Sequence, residues 1–355
     1  MAERSYRIGI IGGDGIGPEV TGAALRVLDG AQSRFGFTTE REELPWSSQR
    51  YLDTGERVTR DMIGSLRRFD AVLLGAIGHP EAPRGMIERD IIIGLRLGLD
   101  LYVNLRPIVL YDERLCPLKD KTVADVDILV VRENTEDVYV NTGTISGEGP
   151  DQRASVEMTF TRRGIERVIR YAFERARGRP RRHLTLVDKA NAIQIQGLWR
   201  TILEEVGAGY PDVEREAIYV DAASMWMIQH PERFDTIVTT NLFGDILTDL
   251  GAALVGGLGV SASGNIRPGE TSVFEPIHGS APKYAGKGVA SPVAAIGAVA
   301  LMLEHLGEPA AAAAVDGALR EAFVSGRIRG AEVADTERAG GTMKVAEGIA
   351  EAVRG

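Results

Sequence analysis

The stretch Tyr6-Arg7-Ile8-Gly9-Ile10-Ile11-Gly12-Gly13-Asp14-Gly15-Ile16-Gly17-Pro18 opens with an apolar run typical of a β-strand and continues into a glycine-rich turn. From Pro18 onward the pattern changes to that of an amphipathic helix. Its apolar face is formed by Val20, Ala23, Ala24, Val27 and Leu28. A strand that leads through a tight turn into such a helix predicts an α/β fold.

The same order of elements recurs along the chain. Buried strands are predicted at 71–74, 127–131, 183–187 and 236–240, and helices at 161–177 and 198–206 lie between them. Ser291-Pro292 predicts the start of a core helix that runs to Leu303, and Pro309 opens another. The Gly-, Thr- and Ser-rich stretch from Asn141 to Gln152 predicts a loop or an arm.

Length and composition predict a folded protein of two lobes. The 355 residues exceed a typical ~150-residue domain, and 44% apolar with 26% charged residues is ordinary for globular chains. Lys and Arg number 41 against 50 Asp and Glu, and the net charge of −9 disfavours a nucleic-acid partner. The longest apolar run, 293–303, is shorter than the ~18 residues of a membrane span. With Cys116 as the one cysteine and no signal-like segment before the first strand, we expect a cytoplasmic protein.

The glycine-rich turn at 12–18 lies where backbone N–H groups at a helix start can meet a phosphate. It does not fit the G-x-G-x-x-G pattern, because Pro18 stands where a third glycine would follow Gly13 and Gly15. A Rossmann fingerprint is therefore absent. Both a tight turn without a ligand and an anion cradle remain open on this pattern.

Two carboxylates lie one helical turn apart in the segment Asn241–Leu250, directly after a predicted strand. Asp245 and Asp249 share a helix face, and two such charges repel unless a cation lies between them. Ligands that are all oxygen select Mg²⁺ or Mn²⁺ over zinc. The alternative is that Asp245 complements the helix dipole and Asp249 is simply exposed.

Three arginines lie at strand ends, in loops or in a short helical stretch: Arg96, Arg106 and Arg132. Guanidinium groups bind carboxylates in bidentate fashion, so together they indicate a carboxylate clamp, although Arg132 could also pair with the adjacent Glu133. Lys189, which follows a strand, and Tyr139, in a loop, are candidate proton-transfer groups or structural residues.

The segment Glu275–Gly286 is too rich in Gly and Pro to be a helix or a strand throughout, so it predicts a shaped loop. It contains His278, which could serve as an ordinary hydrogen-bonding residue. It could also lie beside backbone that approaches a flat ring or a phosphate closely.

Taken in order, six segments resemble motifs of the β-decarboxylating dehydrogenases, the family of isopropylmalate, isocitrate, homoisocitrate and tartrate dehydrogenases. They are Gly13–Val20, Asn104–Pro107, Arg132–Glu136, Asp188–Asn191, Asn241–Leu250 and His278–Pro282. The resemblance implies a two-lobed, non-Rossmann α/β fold of three layers with a central mixed sheet. Residues 1–103 plus 257–355 would form the cofactor-side lobe, and 104–256 an inserted lobe with an arm and the interface of a homodimer.

The resemblance also implies roles for single residues. Arg96, Arg106 and Arg132 hold the carboxylates of a malate, and Mg²⁺ or Mn²⁺ on Asp221, Asp245 and Asp249 chelates its 2-hydroxyl. Lys189 and Asp221 would reach into the partner's cleft, so the homodimer shares its active sites. Lys189 assists removal of the hydroxyl proton, hydride passes to the nicotinamide, CO₂ leaves, and Tyr139 protonates the enolate carbon. The cofactor would contact Glu88, His278, Gly279, Ser280, Ala281, Lys283, Tyr284 and Arg338.

The segment Glu88–Arg96, which we predict to be a helix, bears on the identity of the substrate. In isocitrate dehydrogenases the positions of Asp90 and Ile92 resemble Ser and Asn, which receive a carboxylate. Here Ile92, with Ile93 beside it, cannot compensate a buried carboxylate but can pack an isopropyl group. We therefore expect oxidation of 3-isopropylmalate to 2-oxo-4-methylpentanoate and CO₂. Ordinary helix core is the alternative, and Asp90 in place of a small residue departs from the pattern.

The cofactor segment departs from the NAD-using relatives, which have Asp-Ile where this chain has Lys283-Tyr284. That pair is similar to the NADP-dependent isocitrate dehydrogenases, so we predict a preference for NADP, or at least weak discrimination between NADP and NAD, with Arg338 as a further phosphate partner. Alternatives within the family are a tartrate, isocitrate or homoisocitrate dehydrogenase, or an enzyme of secondary metabolism, to which Trp46-Ser47-Ser48 lends weight. A catalytically silent subunit that binds such ligands is the alternative of another class.

Overall fold

The computed structural model describes residues 4–140 and 142–355. Its strands are β1 (Arg4–Gly13), β2 (Phe37–Glu43), β3 (Ala71–Ala76), β4 (Val103–Val109), β5 (Asp127–Glu133), β6 (Thr144–Ser146), β7 (Arg153–Ser155), β8 (His183–Asp188), β9 (Glu214–Tyr219), β10 (Thr236–Thr239), β11 (Ala262–Ile266) and β12 (Ser272–Pro276).

Its helices are α1 (Gly17–Phe35), α2 (Ser48–Thr54), α3 (Arg60–Ser65), α4 (Met86–Glu88), α5 (Gly94–Gly98), α6 (Arg162–Arg177), α7 (Gly197–Gly207), α8 (Val220–Gln229), α9 (Asn241–Leu254), α10 (Val293–His305), α11 (Pro309–Val324), α12 (Val333–Arg338) and α13 (Thr342–Arg354). None of these helices combines the length and the apolar character needed to cross a membrane.

The chain divides into two compact units. The first contains residues 4–101, 109–124 and 252–355, and the second contains 102–108, 125–140 and 142–251. Residues 109–124 and 252–256 thus group with the first unit, and 102–103 with the second, whereas the boundaries expected from the sequence assign 104–256 to the inserted lobe and 102–103 to the other. In the first unit the strand order is β2-β1-β3-β12-β11, and in the second it is β4-β5-β10-β8-β9.

The sheet is mixed. In the first unit β2, β1, β3 and β12 pair in parallel and β11 is antiparallel to β12. In the second, β5, β10, β8 and β9 pair in parallel. Helices connect the parallel strands, as such crossovers require. The predicted α/β class with a central mixed sheet is confirmed.

The local sequence signals explain where the elements begin and end. The predicted apolar face of α1 is fully buried, and Gly36 ends the helix in the left-handed conformation with φ of 68°. Thr161 caps α6, since its side chain accepts a hydrogen bond from the backbone of Gly164. Helix α10 begins at Val293, one residue later than the Ser291-Pro292 signal predicts. Every strand predicted from the apolar runs is present.

The predicted helix Glu88–Arg96 is interrupted by a π-helical turn at Arg89–Ile93. Ile91 is fully buried, together with Leu95 and Leu99. Helix α5 lies close to Ile63 of α3, because a Cβ at Gly94 or Gly98 would come within 2.7 or 2.6 Å of the Ile63 side chain. This segment is therefore anchored on its inner side.

The stretch predicted to be a loop or an arm contains the start of an exposed hairpin in which β6 pairs antiparallel with β7. Its first residue, Asn141, lies outside the described residues. The motif Trp46-Ser47-Ser48 has structural roles, since Trp46 is buried in the core and Ser47 caps α2.

Candidate active site

Helix α9 carries Asp245 and Asp249, the two carboxylates noted in the sequence, and places them among charged side chains of the second unit. Its N-terminus is fixed because the buried Asp137 accepts a hydrogen bond of 3.0 Å from the backbone N–H of Leu242. Asp137 itself adopts a left-handed conformation with φ of 74°. Asp245 and Asp249 follow on one face of the helix, with Thr248 beside them.

Arg132, at the end of β5, is held on three sides, with its side chain 1% exposed. Its Nε and Nη2 donate to Oδ1 of Asn241 at 3.0 and 2.7 Å, and its Nη1 pairs with Asp245. A Cβ at Gly244 would lie 2.5 to 2.9 Å from the Arg132 side chain, so only glycine leaves room for it. Glu133 points elsewhere, since its carboxylate accepts from Thr135 and the backbone of Glu136.

Arg106, on β4, lies against the other side of the carboxylate pair. Its Nη1 donates to Oγ1 of Thr248 at 2.6 Å and lies 3.6 Å from Asp245 and 3.7 Å from Asp249. The phenol of Tyr139 donates to Oδ2 of Asp245 at 2.7 Å. Arg106, Arg132, Tyr139, Asp245 and Asp249, five of the residues singled out in the sequence, therefore form one cluster.

The two carboxylates differ in how well their charge is compensated. Burial raises the pKa of Asp245, but Arg132, the Tyr139 hydroxyl and Arg106 outweigh it, so its pKa lies below the usual value. Burial also raises the pKa of Asp249, and Arg106 does not fully offset burial and the nearby Asp245. The net pKa of Asp249 is raised. A further positive charge at this face, beyond Arg106 and Arg132, would stabilise the ionised pair.

Lys189 and Asp221 form a separate ion pair in the same unit. Nζ of Lys189 lies 2.7 Å from Oδ1 of Asp221, and that hydrogen bond holds the pKa of Asp221 below its usual value. The Asp221 side chain is 66% exposed. Within the described ranges, no three His, Cys, Asp or Glu side chains are grouped to hold a metal ion. One chain thus groups Asp245 with Asp249, and Asp221 with Lys189.

In the glycine-rich turn of the first unit, backbone N–H groups donate hydrogen bonds to backbone carbonyl oxygens of the same chain. The N–H of Asp14 donates to Ala76 O at 2.7 Å, and that of Ile16 to Ser280 O at 2.8 Å. A Cβ at Gly15 would lie 1.9 Å from Ser280 O, and Gly15 has a φ of +59°. Of the two alternatives, the structure supports a tight turn, and this turn positions the loop that carries Ser280.

The carboxylate of Asp14 joins that turn to two neighbouring segments. It is buried and accepts hydrogen bonds of 2.8 to 3.0 Å from the backbone of Ser48, Gln49 and Gly78. Gly78 in turn lies beside Glu88 and Ser280, because a Cβ there would be 3.3 Å from Glu88 Oε1 and 3.4 Å from Ser280 Oγ. Glu88 and Ser280, both predicted to bind cofactor, are therefore near each other.

Two buried polar atoms in this region fit a ligand that forms hydrogen bonds. Glu88 Oε2 and His278 Nε2 are shielded from solvent and have no partner among the residues that the structure describes. Such atoms cost about 1–3 kcal/mol unless a ligand satisfies them. Burial lowers the pKa of His278 and so favours the neutral ring, while Nδ1 lies 3.0 Å from Gly279 O.

A cavity of about 550 Å³ adjoins His278, and its volume is in the range of ligand sites. Its wall also includes Tyr284 and Glu337. Lys283 and Tyr284 lie on the 3₁₀ turn Pro282–Tyr284, which follows the left-handed Ala281, and Lys283 Nζ is 4.6 Å from the Tyr284 ring centroid.

Arg338 lies apart from the wall of that cavity. It is exposed, pairs with Asp335 at 3.2 Å, and lines another cavity with Arg327 and Arg329.

The residues predicted to select the substrate occupy the π-helical turn and α5. Ile92 is half-buried and packs against the core cluster, and Ile93 is also half-buried. The alternative that these residues are ordinary helix core therefore holds for Ile91, which is fully buried, and only in part for Ile92 and Ile93. Arg96, on α5, is buried.

Sequence reasoning missed several residues that position the site. Asn241 and Thr248 lie four residues before and three after Asp245, so helical periodicity would have placed them on its face. No local pattern marks Gly244 or Asp14. The space beside Gly244 is occupied by a side chain from a distant segment, and the backbone N–H groups that donate to Asp14 also come from distant segments.

Comparison with known proteins identifies the family of the chain. The family model described as isocitrate/isopropylmalate dehydrogenase matches residues 7–349. The chain is 48% identical to 3-isopropylmalate dehydrogenase of Thermobifida fusca over 325 residues, covering 90% of this chain and 92% of that protein. It is 50% identical to the enzyme of the same name from Mycobacterium avium, covering 88% and 92%.

The fold is also found among solved structures. Isocitrate dehydrogenase from Methylococcus capsulatus superposes with a TM-score of 0.86 at 38% identity, over 99% of this chain and 100% of that one. The motifs, the fold and these matches agree, and the chain belongs to the isocitrate/isopropylmalate dehydrogenase family.

Proposed function

We propose that this chain catalyses the NAD(P)-dependent oxidative decarboxylation of 3-isopropylmalate to 2-oxo-4-methylpentanoate and CO₂. Family membership makes it a decarboxylating 2-hydroxy acid dehydrogenase. The observation that carries the proposal is the cluster of Asp245 and Asp249 with Arg106, Arg132 and Tyr139. It combines ligands for a hard cation, guanidinium groups for carboxylates and a phenol that can donate a proton.

The donor set of this cluster fits Mg²⁺ or Mn²⁺. Asp245 and Asp249 offer oxygen atoms alone, and the raised pKa of Asp249 marks a carboxylate that a further cation would stabilise. We propose that Asp221 from the partner subunit supplies a third carboxylate. When bound, such an ion acidifies the substrate hydroxyl and stabilises the negative charge left by departing CO₂.

The remaining residues of the cluster bind the substrate and hold a proton. Arg106 and Arg132 are buried and held by Thr248 and Asn241, so their charges are fixed before the substrate carboxylates bind. Tyr139 keeps a proton at its phenolic oxygen, and we assign it the protonation of the enolate carbon. Lys189, paired with Asp221, assists removal of the hydroxyl proton, and Arg96 binds a carboxylate.

The first unit supplies the cofactor residues. A bound nicotinamide cofactor would supply the acceptor for the hydride that leaves C2 of the substrate. Glu88 and His278 each offer an unsatisfied buried atom to it, and Gly279, Ser280 and Ala281 form the backbone beside it. Lys283 and Tyr284 favour the 2′-phosphate of NADP, since Lys283 supplies a positive charge. Arg338 is proposed as a further phosphate partner.

Steady-state kinetics with each cofactor test this preference. We expect a higher kcat/KM with NADP, and replacement of Lys283 by Asp should reverse the order because a carboxylate repels the phosphate. A tenfold preference of the unaltered protein for NAD would contradict the assignment.

The substrate assignment is tested by absorbance at 340 nm with Mn²⁺ and either cofactor. 3-Isopropylmalate should give the highest kcat/KM, because the half-buried Ile92 and Ile93 favour an alkyl substituent over a charged one. Preference for isocitrate, homoisocitrate or tartrate would overturn the substrate, and no reduction with any of them would indicate a silent subunit. Isocitrate is the second candidate, because the superposed structure carries that enzyme's name.

A further inference from the structure

Asp90, which departs from the family pattern in the segment Glu88–Arg96, forms a bidentate ion pair with Arg57. It lies on the π-helical turn Arg89–Ile93, and its carboxylate oxygens accept from Nε and Nη2 of Arg57 at 2.6 and 2.7 Å. Asp90 is 17% exposed and Arg57 53% exposed. The parallel geometry is that of a guanidinium fork on a carboxylate, the strongest form of such a pair.

The pair joins two segments that also meet through apolar contacts. Arg57 lies between α2 and α3, and its neighbour Val58 packs against the same core cluster as Ile92. The turn that carries Ile92 and Ile93 is thus held on its inner side by the core and on its outer side by Arg57. Arg57 therefore contacts the turn that carries Ile92 and Ile93, the residues proposed to favour an alkyl substituent, and is not itself among the residues assigned to the substrate.

The charge of Asp90 is close enough to matter for an anionic substrate. Asp90 precedes Arg96 by six residues, and the α-helical rise of ~1.5 Å per residue sets an upper bound of about 9 Å on their axial separation, comparable with the Debye length of ~8 Å at physiological salt. An unpaired carboxylate there would repel a malate, and would repel a tricarboxylate more. Paired with Arg57, it adds no net charge, and Arg57 in turn has no uncompensated charge to offer a third carboxylate.

We propose that Arg57 is a positioning residue for substrate specificity: by pairing with Asp90 it keeps the turn that carries Ile92 and Ile93 electrically neutral. The pair thereby permits a dicarboxylate with an alkyl substituent and gives no advantage to a tricarboxylate such as isocitrate. This inference rests on the proposed function, because it takes Arg96 and Ile92 to contact the substrate.

The test is whether the preference between two substrates changes in opposite directions when Arg57 or Asp90 is replaced. The quantity measured is kcat/KM for isocitrate divided by kcat/KM for 3-isopropylmalate. Arg57→Ala leaves a negative charge, so the ratio should fall about three- to fivefold, whereas Asp90→Asn leaves a positive charge and should raise it by a similar factor. The double variant should return to within about twofold of the unaltered protein, and both single effects should shrink in high salt.

Two further variants separate charge from simple loss of structure. Arg57→Lys should retain most of the original ratio because it keeps the charge. Arg50→Ala removes the nearby exposed pair of Arg50 and Glu56, which are 2.6 Å apart, and should leave the ratio unchanged. Equal ratios in all variants, or changes of the same sign for Arg57→Ala and Asp90→Asn, would overturn the inference.

Failure of the inference is distinguishable from failure of the proposed function. If the unaltered protein reduces neither cofactor with 3-isopropylmalate, the function is wrong whatever the variants do. Calorimetric binding of 3-isopropylmalate and isocitrate needs no turnover, so the predicted opposite signs for Arg57→Ala and Asp90→Asn can be checked in that case as well. Binding ratios that do not move with charge would then reject the role of Arg57.

Discussion

Asp245 is the single side chain on which most of the cluster depends. It receives the guanidinium groups of Arg106 and Arg132 and the hydroxyl of Tyr139, and these contacts hold its pKa below the usual value despite burial. A carboxylate that stays ionised in a partly buried position is suited to bind a divalent cation. Its neighbour Asp249 lacks such support, so the two residues contribute unequally to the site.

Asp245→Asn should nearly abolish turnover, by about 10²–10³-fold or more, because the amide removes a charge from the proposed metal site. The fold should persist, since Asn241 still accepts from Arg132 and an amide oxygen can accept from Tyr139. Calorimetric titration with Mn²⁺ should show weaker binding, while the circular dichroism spectrum stays the same. Unchanged activity would contradict the assignment of Asp245 to the metal.

Glu133 makes the stability of the protein depend on pH. Burial raises its pKa to about 7 from 4.5, although hydrogen bonds from Thr135 and Glu136 oppose the change. The folded state therefore holds a proton that the unfolded state releases, so the stability linked to Glu133 is complete below pH 4.5. It is lost as the pH rises through 7, and the difference across this window is about 3 kcal/mol.

Denaturant unfolding at pH 5 and pH 8 checks this prediction. The unaltered protein should lose stability relative to Glu133→Gln between the two pH values, because glutamine does not titrate. The glutamine variant will be less stable at both, since it cannot accept every hydrogen bond. A difference between the two proteins that is equal at pH 5 and pH 8 would refute the raised pKa.

At the scale of elements, the site depends on how closely α9 approaches the end of β5. Gly244 faces Arg132, and the aliphatic part of the Arg132 side chain fills the space that a side chain at Gly244 would need. The turn at 12–18 uses the same device, since Gly15 allows the Ser280 loop to come within hydrogen-bonding distance of Ile16. In both units, glycines bring a functional segment against a rigid element.

Gly244→Ala should lower kcat/KM for the malate substrate by about 10- to 100-fold, because Arg132 must move by a substantial fraction of an ångström or more. It should also destabilise the fold by about 1–3 kcal/mol through overpacking. The matched control is Gly317→Ala on α11, where a Cβ meets nothing within 4 Å, and it should stabilise the helix slightly. Equal kinetics for the two variants would show that Arg132 needs no such clearance.

At the scale of the whole molecule, we propose that each active site is divided between two subunits. One chain pairs Lys189 with Asp221 and, separately, Asp245 with Asp249. We propose a homodimer in which the first pair serves the partner's site. A symmetric dimer makes two identical contributions of this kind.

Subunit mixing tests the shared site. Lys189→Ala and Asp245→Asn should each be inactive, but in a mixed dimer one site collects both substitutions and the other collects neither. Refolding equal amounts together should therefore restore about a quarter of the unaltered activity, since about half of randomly formed dimers are mixed. A mixture that stays inactive, although sedimentation shows mixed dimers, would place all catalytic residues in one chain.

Short-range patterns in the chain were sufficient to predict most elements and the family. The alternation of apolar strands with amphipathic helices predicts the α/β class, because those periodicities reflect which faces must be buried. The acid pair at Asp245 and Asp249 was predictable too, since a one-turn spacing is a local property of a helix.

Other features depend on residues that are far apart in the sequence. Arg132 binds Asn241, which is 109 positions away, and Asp14 accepts from Gly78 across 64 positions. The sequence pattern predicted a regular helix at Glu88–Arg96. It predicted neither the π-helical turn at Arg89–Ile93 nor the pairing of Asp90 with Arg57. Periodicity reports which way a side chain faces along its own element, whereas its partner is chosen by how distant elements pack together in the folded chain.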